Sequence, residues 1–257
     1  MSQDPWNVGQ YERFKNERSE PFHDLQSLIR PVAKAQIIDL GCGTGEITRA
    51  LHESFKGATT LGIDTSAAML SKSPRAVPGL SFAEQNILAL DAATKYNLIF
   101  SNAALQWVPD HKRLFSILCD ALLPGGQIAI QIPKNASHPS QQVAFDMEKE
   151  EPFKSYARNE IENNTLAPEV YASLLDKLGM ADIRVSMRIY LHHLESRDAV
   201  FEWMKGTFLT GYQRSMPTDI YEHFRVEYRR RLLAKLEDTH PHLFTFNRIL
   251  IHAVKPS

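Results

Sequence analysis

The chain has 257 residues, 43% of them hydrophobic, and this length and composition exclude an intrinsically disordered or collagen-like protein. The chain has 29 Lys and Arg residues and 30 Asp and Glu residues, so its formal net charge is −1. Because it is not strongly basic, we expect neither a nucleic-acid nor a membrane-surface partner. Two cysteines, Cys42 and Cys119, are too few for a disulfide framework, and we expect no metal site. The chain shows neither a membrane span nor a secretory signal, so a cytoplasmic location is predicted.

The predicted elements begin with an amphipathic helix within the first 30 residues, and a different pattern starts at Gln36. Short apolar runs, each typical of a buried strand, then alternate with helical spacings. These runs cover residues 36–40, 59–63, 80–83, 96–101 and 127–132. Helices are predicted over 46–55, after a Ser66 cap, and over 110–122, where Pro124-Gly125-Gly126 ends the last of them. This alternation predicts an α/β fold with a parallel sheet and helices on both faces.

Beyond Pro133 the alternation breaks. Helices are predicted over 143–151 and 168–178, a strand over 183–191, two or more helices over 196–238 and a last strand over 244–254. The extra helices follow the fifth strand and separate the last two strands. We expect them to cover one edge of the sheet as a lid.

A glycine-rich turn, Gly41-Cys42-Gly43-Thr44-Gly45, follows Asp39 at the carboxyl end of the first predicted strand. Glycines let a backbone turn tightly and approach a ligand, and open α/β sheets bind ligands at this edge. A dinucleotide fingerprint needs a third glycine where Glu46 stands, and a carboxylate in the first helical turn repels a pyrophosphate. The spacing favours a nucleoside without phosphate, although an ordinary strand-to-helix turn has the same pattern.

Asp64 ends the second predicted strand. A carboxylate at this place accepts hydrogen bonds from ribose hydroxyls, and the alternative role is that of a helix cap. Because the glycine turn and Asp64 point to one crevice, the two signals together favour a nucleoside site.

These residues make the sequence similar to the class I S-adenosylmethionine-dependent methyltransferases. The similarity is carried by residues 38–45, 62–64 and 98–107, and it is specific over 36–133. Residues near the start, with 105–111 and 131–133, make the chain most similar to the trans-aconitate 2-methyltransferase group. The resemblance implies a doubly wound, mostly parallel, seven-stranded Rossmann-like sheet with an antiparallel last strand. We expect a single domain made of an N-terminal helical cap (1–30), a cofactor-binding α/β core (31–133), and the remaining strands with the helical lid (134–257).

The resemblance implies S-adenosyl-L-methionine as the cofactor. The glycine turn would hold its methionine portion, Asp64 its ribose, Asn86 and the backbone near Ile87 its adenine, and Asn102 its ammonium or sulfonium region. The family usually has Asp where this chain has Asn86, whose carbonyl oxygen still accepts a hydrogen bond. The implied cofactor residues are Asp39, Gly41, Cys42, Gly43, Gly45, Asp64, Thr65, Met69, Asn86, Ile87 and Asn102.

The substrate side is predicted from fewer signals. Gln106 and Trp107 are candidates for positioning the acceptor, and a core role is the alternative for Trp107. Tyr11 and Arg18 share a helix face near the start, where Arg18 would pair with an anionic substrate or with another side chain. No residue is assigned as a catalytic acid or base.

We therefore predict an O-methyltransferase that esterifies a carboxylate of a small acid such as trans-aconitate by in-line methyl transfer. A carboxylate is ionised at neutral pH and needs no general base. One alternative is a malonyl-carrier-protein O-methyltransferase of biotin synthesis, whose acidic carrier protein would dock on the basic run from Arg225 to Lys235. The others are an NAD-dependent dehydrogenase and a non-catalytic nucleoside-binding protein.

Overall fold

The strands and helices alternate along the chain in a computed structural model that describes residues 15–91, 93–156 and 164–257, without the side chains of 15–19. The strands are β1 (Gln36–Leu40), β2 (Thr59–Asp64), β3 (Leu80–Glu84), β4 (Tyr96–Asn102), β5 (Leu122–Pro133), β6 (Ala181–Leu194) and β7 (His242–Val254). The helices are α1 (Lys15–Ser27), α2 (Glu46–Glu53), α3 (Ala67–Leu70), α4 (His111–Asp120), α5 (Pro139–Met147), α6 (Pro168–Lys177), α7 (Arg197–Lys205), α8 (Leu209–Ser215) and α9 (Thr218–Lys235). Short 3-10 helices cover Ile87–Ala89, Leu105–Trp107 and Phe153–Tyr156.

The described strands form one seven-stranded sheet in the order β3-β2-β1-β4-β5-β7-β6. Strands β1 to β5 pair in parallel, and β7 is antiparallel to β5. From β1 the chain moves outward to β2 and β3 and then returns to the other side of β1 as β4. This reversal opens a crevice at the carboxyl ends of β1 and β4, where such sheets bind ligands. The predicted α/β class, the mostly parallel sheet and the antiparallel last strand are confirmed.

The chain divides into two compact units. We name the first the sheet unit; its described residues are 19–91, 93–133, 164–188 and 248–257. Successive residues of a strand point to opposite faces. In β1, Ile38 therefore belongs to a buried cluster with Leu114 of α4, and Ile37 to a second cluster with Leu25 of α1. Apolar cover on both faces explains why these strands are continuous hydrophobic runs.

We name the second the helical unit; residues 134–156 and 189–247 make up most of its described part. Its buried core comes largely from α5, α7, α8 and α9. The aromatic stretch from Phe201 to Tyr212 lies in this core, where the Tyr212 and Phe224 rings stack with centroids 4.7 Å apart. Helices thus follow β5 and separate β6 from β7, as predicted, while their role as a lid and the three-segment single domain stay predictions. Among the described residues, no helix combines the length and apolarity needed to cross a membrane.

Strand β5 begins five residues before its predicted start and runs through Pro124-Gly125-Gly126, a pattern that predicts a helix end. The reason is a partner from the far end of the chain. Gly125 N donates to Lys255 O at 2.9 Å, and Lys255 N donates to Gly126 O at 2.8 Å. Helix α4 has already ended at Asp120, so the glycines extend a strand.

Candidate functional site

The glycine turn joins β1 to α2 at the carboxyl edge of the sheet. Gly41, Gly43 and Gly45 all have positive φ, at 76°, 56° and 73°. Gly41 N and Cys42 N both donate to Ile63 O of β2, at 2.8 and 3.0 Å. A Cβ on Gly41 would lie 2.2 Å from the Cβ of Ala104, which follows β4. The turn thus requires glycine both for its backbone conformation and for its close approach to the neighbouring loop.

Asp64 connects this turn to the end of β2. Its Oδ2 accepts from Gly43 N at 2.9 Å, and its Oδ1 accepts from Ser66 N at 2.8 Å. Ser66 is itself the N-cap of α3, since its Oγ accepts from Met69 N at 3.2 Å. Each carboxylate oxygen of Asp64 keeps a further lone pair, which suits the hydroxyls of a ribose.

Asp39 is buried behind the turn. Its Oδ2 accepts from Thr48 Oγ1 of α2 at 2.6 Å. Burial raises the pKa of Asp39 to about 7; the Thr48 hydrogen bond opposes this rise and the charge of Asp64 adds to it. The described hydrogen bond of Asp39 ties β1 to α2, and its predicted cofactor contact stays a prediction.

Three other predicted cofactor residues lie in the turn or near it in the sequence. Met69 is buried, and its Cε lies 3.5 Å from the place that a Cβ on Gly43 would take. Cys42 is buried, and burial is the largest cause of the raised pKa of its thiol. Thr65 is exposed at the end of β2. Met69 therefore forms an apolar wall beside the glycines.

The residues predicted for the adenine lie after β3. Asn86 is exposed and caps a 3-10 helix, because its Oδ1 accepts from Leu88 N at 2.9 Å. Ile87 is buried. The Asn86 oxygen keeps a second lone pair for an amino group.

The loop after β4 holds two buried oxygen acceptors. Gln106 Nε2 donates to Ala103 O at 2.8 Å, which leaves Gln106 Oε1 buried without a donor among the described residues. Asn102 Oδ1 is also buried and has no hydrogen-bond donor among the described residues. Ala103 between them has a φ of 56°, a strained conformation for a residue with a Cβ. Buried acceptors without donors are costly, so this loop is suited to a ligand that carries N–H or O–H groups.

The remaining substrate candidates are Trp107, Arg18 and Tyr11. Trp107 is half-buried in the 3-10 helix beside Gln106. Arg18 belongs to α1, but its side chain lies outside the described part of the structure, and Tyr11 lies outside the described residues.

Two buried polar residues at this sheet edge, Gln131 of β5 and Arg248 of β7, are not among the predicted site residues. Gln131 stands beside Asn102 in the sheet register, and Arg248 stands beside Pro133. The available signal is a charged residue at an alternating position of a strand that is otherwise largely apolar.

The basic run predicted as an alternative docking surface lies on α9 within the helical unit, and its cations are in ion pairs. Their partners are Glu222 for Arg225, Asp198 for Arg229, Glu227 for Arg230, Glu150 and Glu227 for Arg231, and Asp146 for Lys235. Hydrogen bonds from Arg230 and Arg231 lower the pKa of Glu227 to about 2. These pairs reduce the positive charge that the helix can offer to an acidic protein.

The donors and acceptors of the crevice match S-adenosylmethionine. Its ribose hydroxyls and its ammonium are hydrogen-bond donors, and Asp64, Asn102 and Gln106 supply acceptors. Glu46, in the first turn of α2, disfavours a phosphate there. Among the described residues, no group of three His, Cys, Asp or Glu side chains is arranged to hold a metal ion.

Known proteins resemble this chain in sequence and in fold. A family model described as a methyltransferase domain matches residues 32–177. Trans-aconitate 2-methyltransferase of Deinococcus radiodurans is 39% identical over 257 residues, covering 98% of both chains. The enzyme of the same name from Rhizobium etli is 32% identical, covering 97% of this chain and 99% of its own.

The solved structures add evidence for the fold. Haemonchus contortus phosphoethanolamine N-methyltransferase 2, in complex with S-adenosylhomocysteine, superposes with a TM-score of 0.57 at 18% identity. The match covers 93% of this chain and 53% of that chain, about half of its length. The methyltransferase-domain match and the two relatives of the same name, rather than this structure, show that the alternative of an NAD-dependent dehydrogenase is wrong. A methyltransferase domain over more than half of the chain and two full-length relatives show that the protein belongs to the S-adenosylmethionine-dependent methyltransferases.

Proposed function

We propose that the protein transfers the methyl group of S-adenosylmethionine to a carboxylate of a small acid, with trans-aconitate as the leading acceptor. The observation that carries this proposal is the 39% identity, over 98% of both chains, to an enzyme named trans-aconitate 2-methyltransferase. The match covers both units of the chain, so it includes the segments outside the methyltransferase domain at residues 32–177.

The residues of the crevice would hold the cofactor through complementary polarity. Asp64 is held in place by Gly43 N and Ser66 N and would accept from the ribose hydroxyls. Asn102 Oδ1 and Gln106 Oε1 are buried acceptors that suit the ammonium of the methionine portion. When bound, S-adenosylmethionine supplies a methyl group activated by a sulfonium.

The protein's part in the transfer is alignment. A carboxylate is already a nucleophile at neutral pH, so the site needs to orient it and to exclude water rather than to remove a proton. Holding two reactants in line contributes roughly 7–11 kcal/mol in favourable cases. Trp107, half-buried beside Gln106, would serve as a wall for the acceptor.

The orientation of the Gln106 amide limits which groups of the cofactor or substrate it can bind. One N–H of its Nε2 donates to Ala103 O, and exchanging its nitrogen and oxygen would place two oxygens against each other. Its Oε1 is thus fixed as a buried acceptor. This oxygen suits a donor group of the cofactor or a hydroxyl of the substrate, and it repels a carboxylate.

The test is an acceptor screen with S-adenosylmethionine labelled in its methyl group. The acceptors are trans-aconitate, other di- and tricarboxylates, a malonyl-carrier thioester, and trans-aconitamide as a control of the same shape without charge. We expect a base-labile methyl ester of trans-aconitate, detected by mass spectrometry, and no product from the amide. Methylation of the carrier thioester in preference to every free acid would refute the proposal. Cofactor binding with no labelled product from any acceptor would favour the non-catalytic alternative.

A further inference from the structure

Gln131 and Arg248 form a buried polar pair at the carboxyl edge of the sheet unit. Gln131 has no exposed surface and Arg248 is 4% exposed. Arg248 Nη1 donates to Gln131 Oε1 at 3.3 Å. Gln131 Nε2 is buried and has no acceptor among the described residues.

A second buried glutamine on the same strand has hydrogen-bond partners for both its amide nitrogen and its amide oxygen, unlike Gln131. Gln127 lies four residues earlier on the same face and is also buried. Its Nε2 donates to Arg30 O at 2.8 Å, and its Oε1 accepts from Arg30 N at 2.9 Å. Gln131 instead keeps an N–H donor inside the protein, an arrangement that suits a ligand with an acceptor oxygen.

The orientation of the Gln131 amide is fixed by its partner. A guanidinium carries donors alone, so it must face the oxygen of the amide and leave the nitrogen on the other side. The result is a pair of buried groups that both donate hydrogen bonds, one of them positively charged. Arginine and N–H donors together are the usual partners of a carboxylate.

The pair lies next to the predicted cofactor crevice. Asn102 of β4 stands beside Gln131 of β5 in the register, and the glycine turn follows β1, the next strand beyond β4. Because neighbouring strands are about 4.8 Å apart, Gln131 lies roughly 10 Å along the edge from the turn. The edge thus presents oxygen acceptors near β4 and donors at β5 and β7.

We propose that Arg248 and Gln131 Nε2 anchor a carboxylate of the acid other than the one that is methylated. This inference rests on the proposed function, because it assumes an acceptor with at least two carboxylates. The anchor holds one end of the acid at β5 and β7, so that another carboxylate extends toward the crevice at β4. Gln106, which presents an acceptor oxygen, has no part in this anchor.

The experiment compares the full-length variants Gln131→Glu, Arg248→Lys and Arg248→Met with the wild type. Gln131→Glu preserves size and places a carboxylate beside Arg248, which then repels the acid. Arg30→Met is the matched control, because it removes a positive charge from an exposed ion pair with Asp182. Calorimetry measures the Kd of S-adenosylhomocysteine and then the Kd of trans-aconitate with S-adenosylhomocysteine bound; kcat and KM follow for each acid that reacts.

For Gln131→Glu and Arg248→Met we expect the Kd and KM of trans-aconitate to rise roughly 10- to 100-fold, as for the loss of a charged hydrogen bond. Arg248→Lys should give a smaller rise, because lysine keeps the charge and loses the planar fork. Arg30→Met should match the wild type, and the Kd of S-adenosylhomocysteine should stay within about 2-fold in every variant.

Wild-type affinity for trans-aconitate in Gln131→Glu and Arg248→Met would overturn the anchor. If Arg248→Met fails to bind S-adenosylhomocysteine, the Kd of trans-aconitate is compared in Gln131→Glu and Arg248→Lys instead. Wild-type affinity in both of these variants would then overturn the anchor. If the wild type esterifies no acid but binds trans-aconitate, and the variants lose that binding, the anchor stands and the proposed function falls. A wild type that binds no polycarboxylate overturns both.

Discussion

The buried carboxylate of Asp39 makes the stability of the fold depend on pH. Its pKa is about 7 in the folded chain, against an ordinary value of 3.8 for an aspartate side chain. Between these values the folded state keeps a proton that the unfolded state has lost, so the free energy of unfolding falls as pH rises. One pKa unit corresponds to about 1.36 kcal/mol, and the two pKa values give a loss of about 3 kcal/mol between pH 5 and pH 8.

Replacing Asp39 by Asn removes this titration while keeping an oxygen to accept from Thr48 Oγ1. Urea unfolding of the wild type and Asp39→Asn at pH 5 to 8 measures the effect. The free energy of unfolding of the wild type, minus that of the variant, should fall by about 3 kcal/mol over this range. Glu84→Gln, which changes an exposed carboxylate at the end of β3, is the control. A difference between wild type and Asp39→Asn that does not change with pH would refute the reasoning.

Two further predictions concern Asp64 and the glycine turn. Asp64→Ala should weaken the binding of S-adenosylhomocysteine by about 1–3 kcal/mol, measured by calorimetry, because it removes the acceptors that we propose for the ribose hydroxyls. Glu84→Ala, at the register partner of Asp64, should leave this affinity unchanged. Gly41→Ala should destabilise the fold by about 2–5 kcal/mol in urea, since it adds a clash with Ala104 to a positive φ. Gly179→Ala, with a φ of 72° and no atom within 4 Å of the new Cβ, separates the two effects and should cost about 1–2 kcal/mol. Equal losses at the two glycines, or unchanged cofactor affinity without Asp64, would contradict these assignments.

Local pattern was enough to predict the parallel strands, the glycine turn and the place of Asp64. Each depends on residues close in sequence: an apolar run, a following turn and a helix cap such as Ser66. The parallel order then follows from the alternation of strands and helices. In this segment the hydrophobic pattern and the turn residues predict the same strand and helix boundaries.

The pairing of Gln131 with Arg248 could not be predicted from local sequence pattern. These residues are 117 positions apart, and their contact depends on the antiparallel register of β7 against β5. The early start of β5 has a similar cause, because its glycines pair with Lys255. The ion pairs of α9 show the same limit: Glu222 and Glu227 are local, whereas Asp198 comes from another helix. Contacts set by tertiary register leave no periodic trace in the sequence.

The close approach of Gly41 to Ala104 means that the residue types at these two positions, in two different loops, depend on each other. A side chain at position 41 would overlap the Cβ at position 104, so a chain that gains a methyl group at one must give it up at the other. Combining Gly41→Ala with Ala104→Gly should therefore recover the part of the loss that comes from overlap and leave the backbone part. Libraries that aim to alter acceptor choice through the loop after β4 should randomise these two positions together.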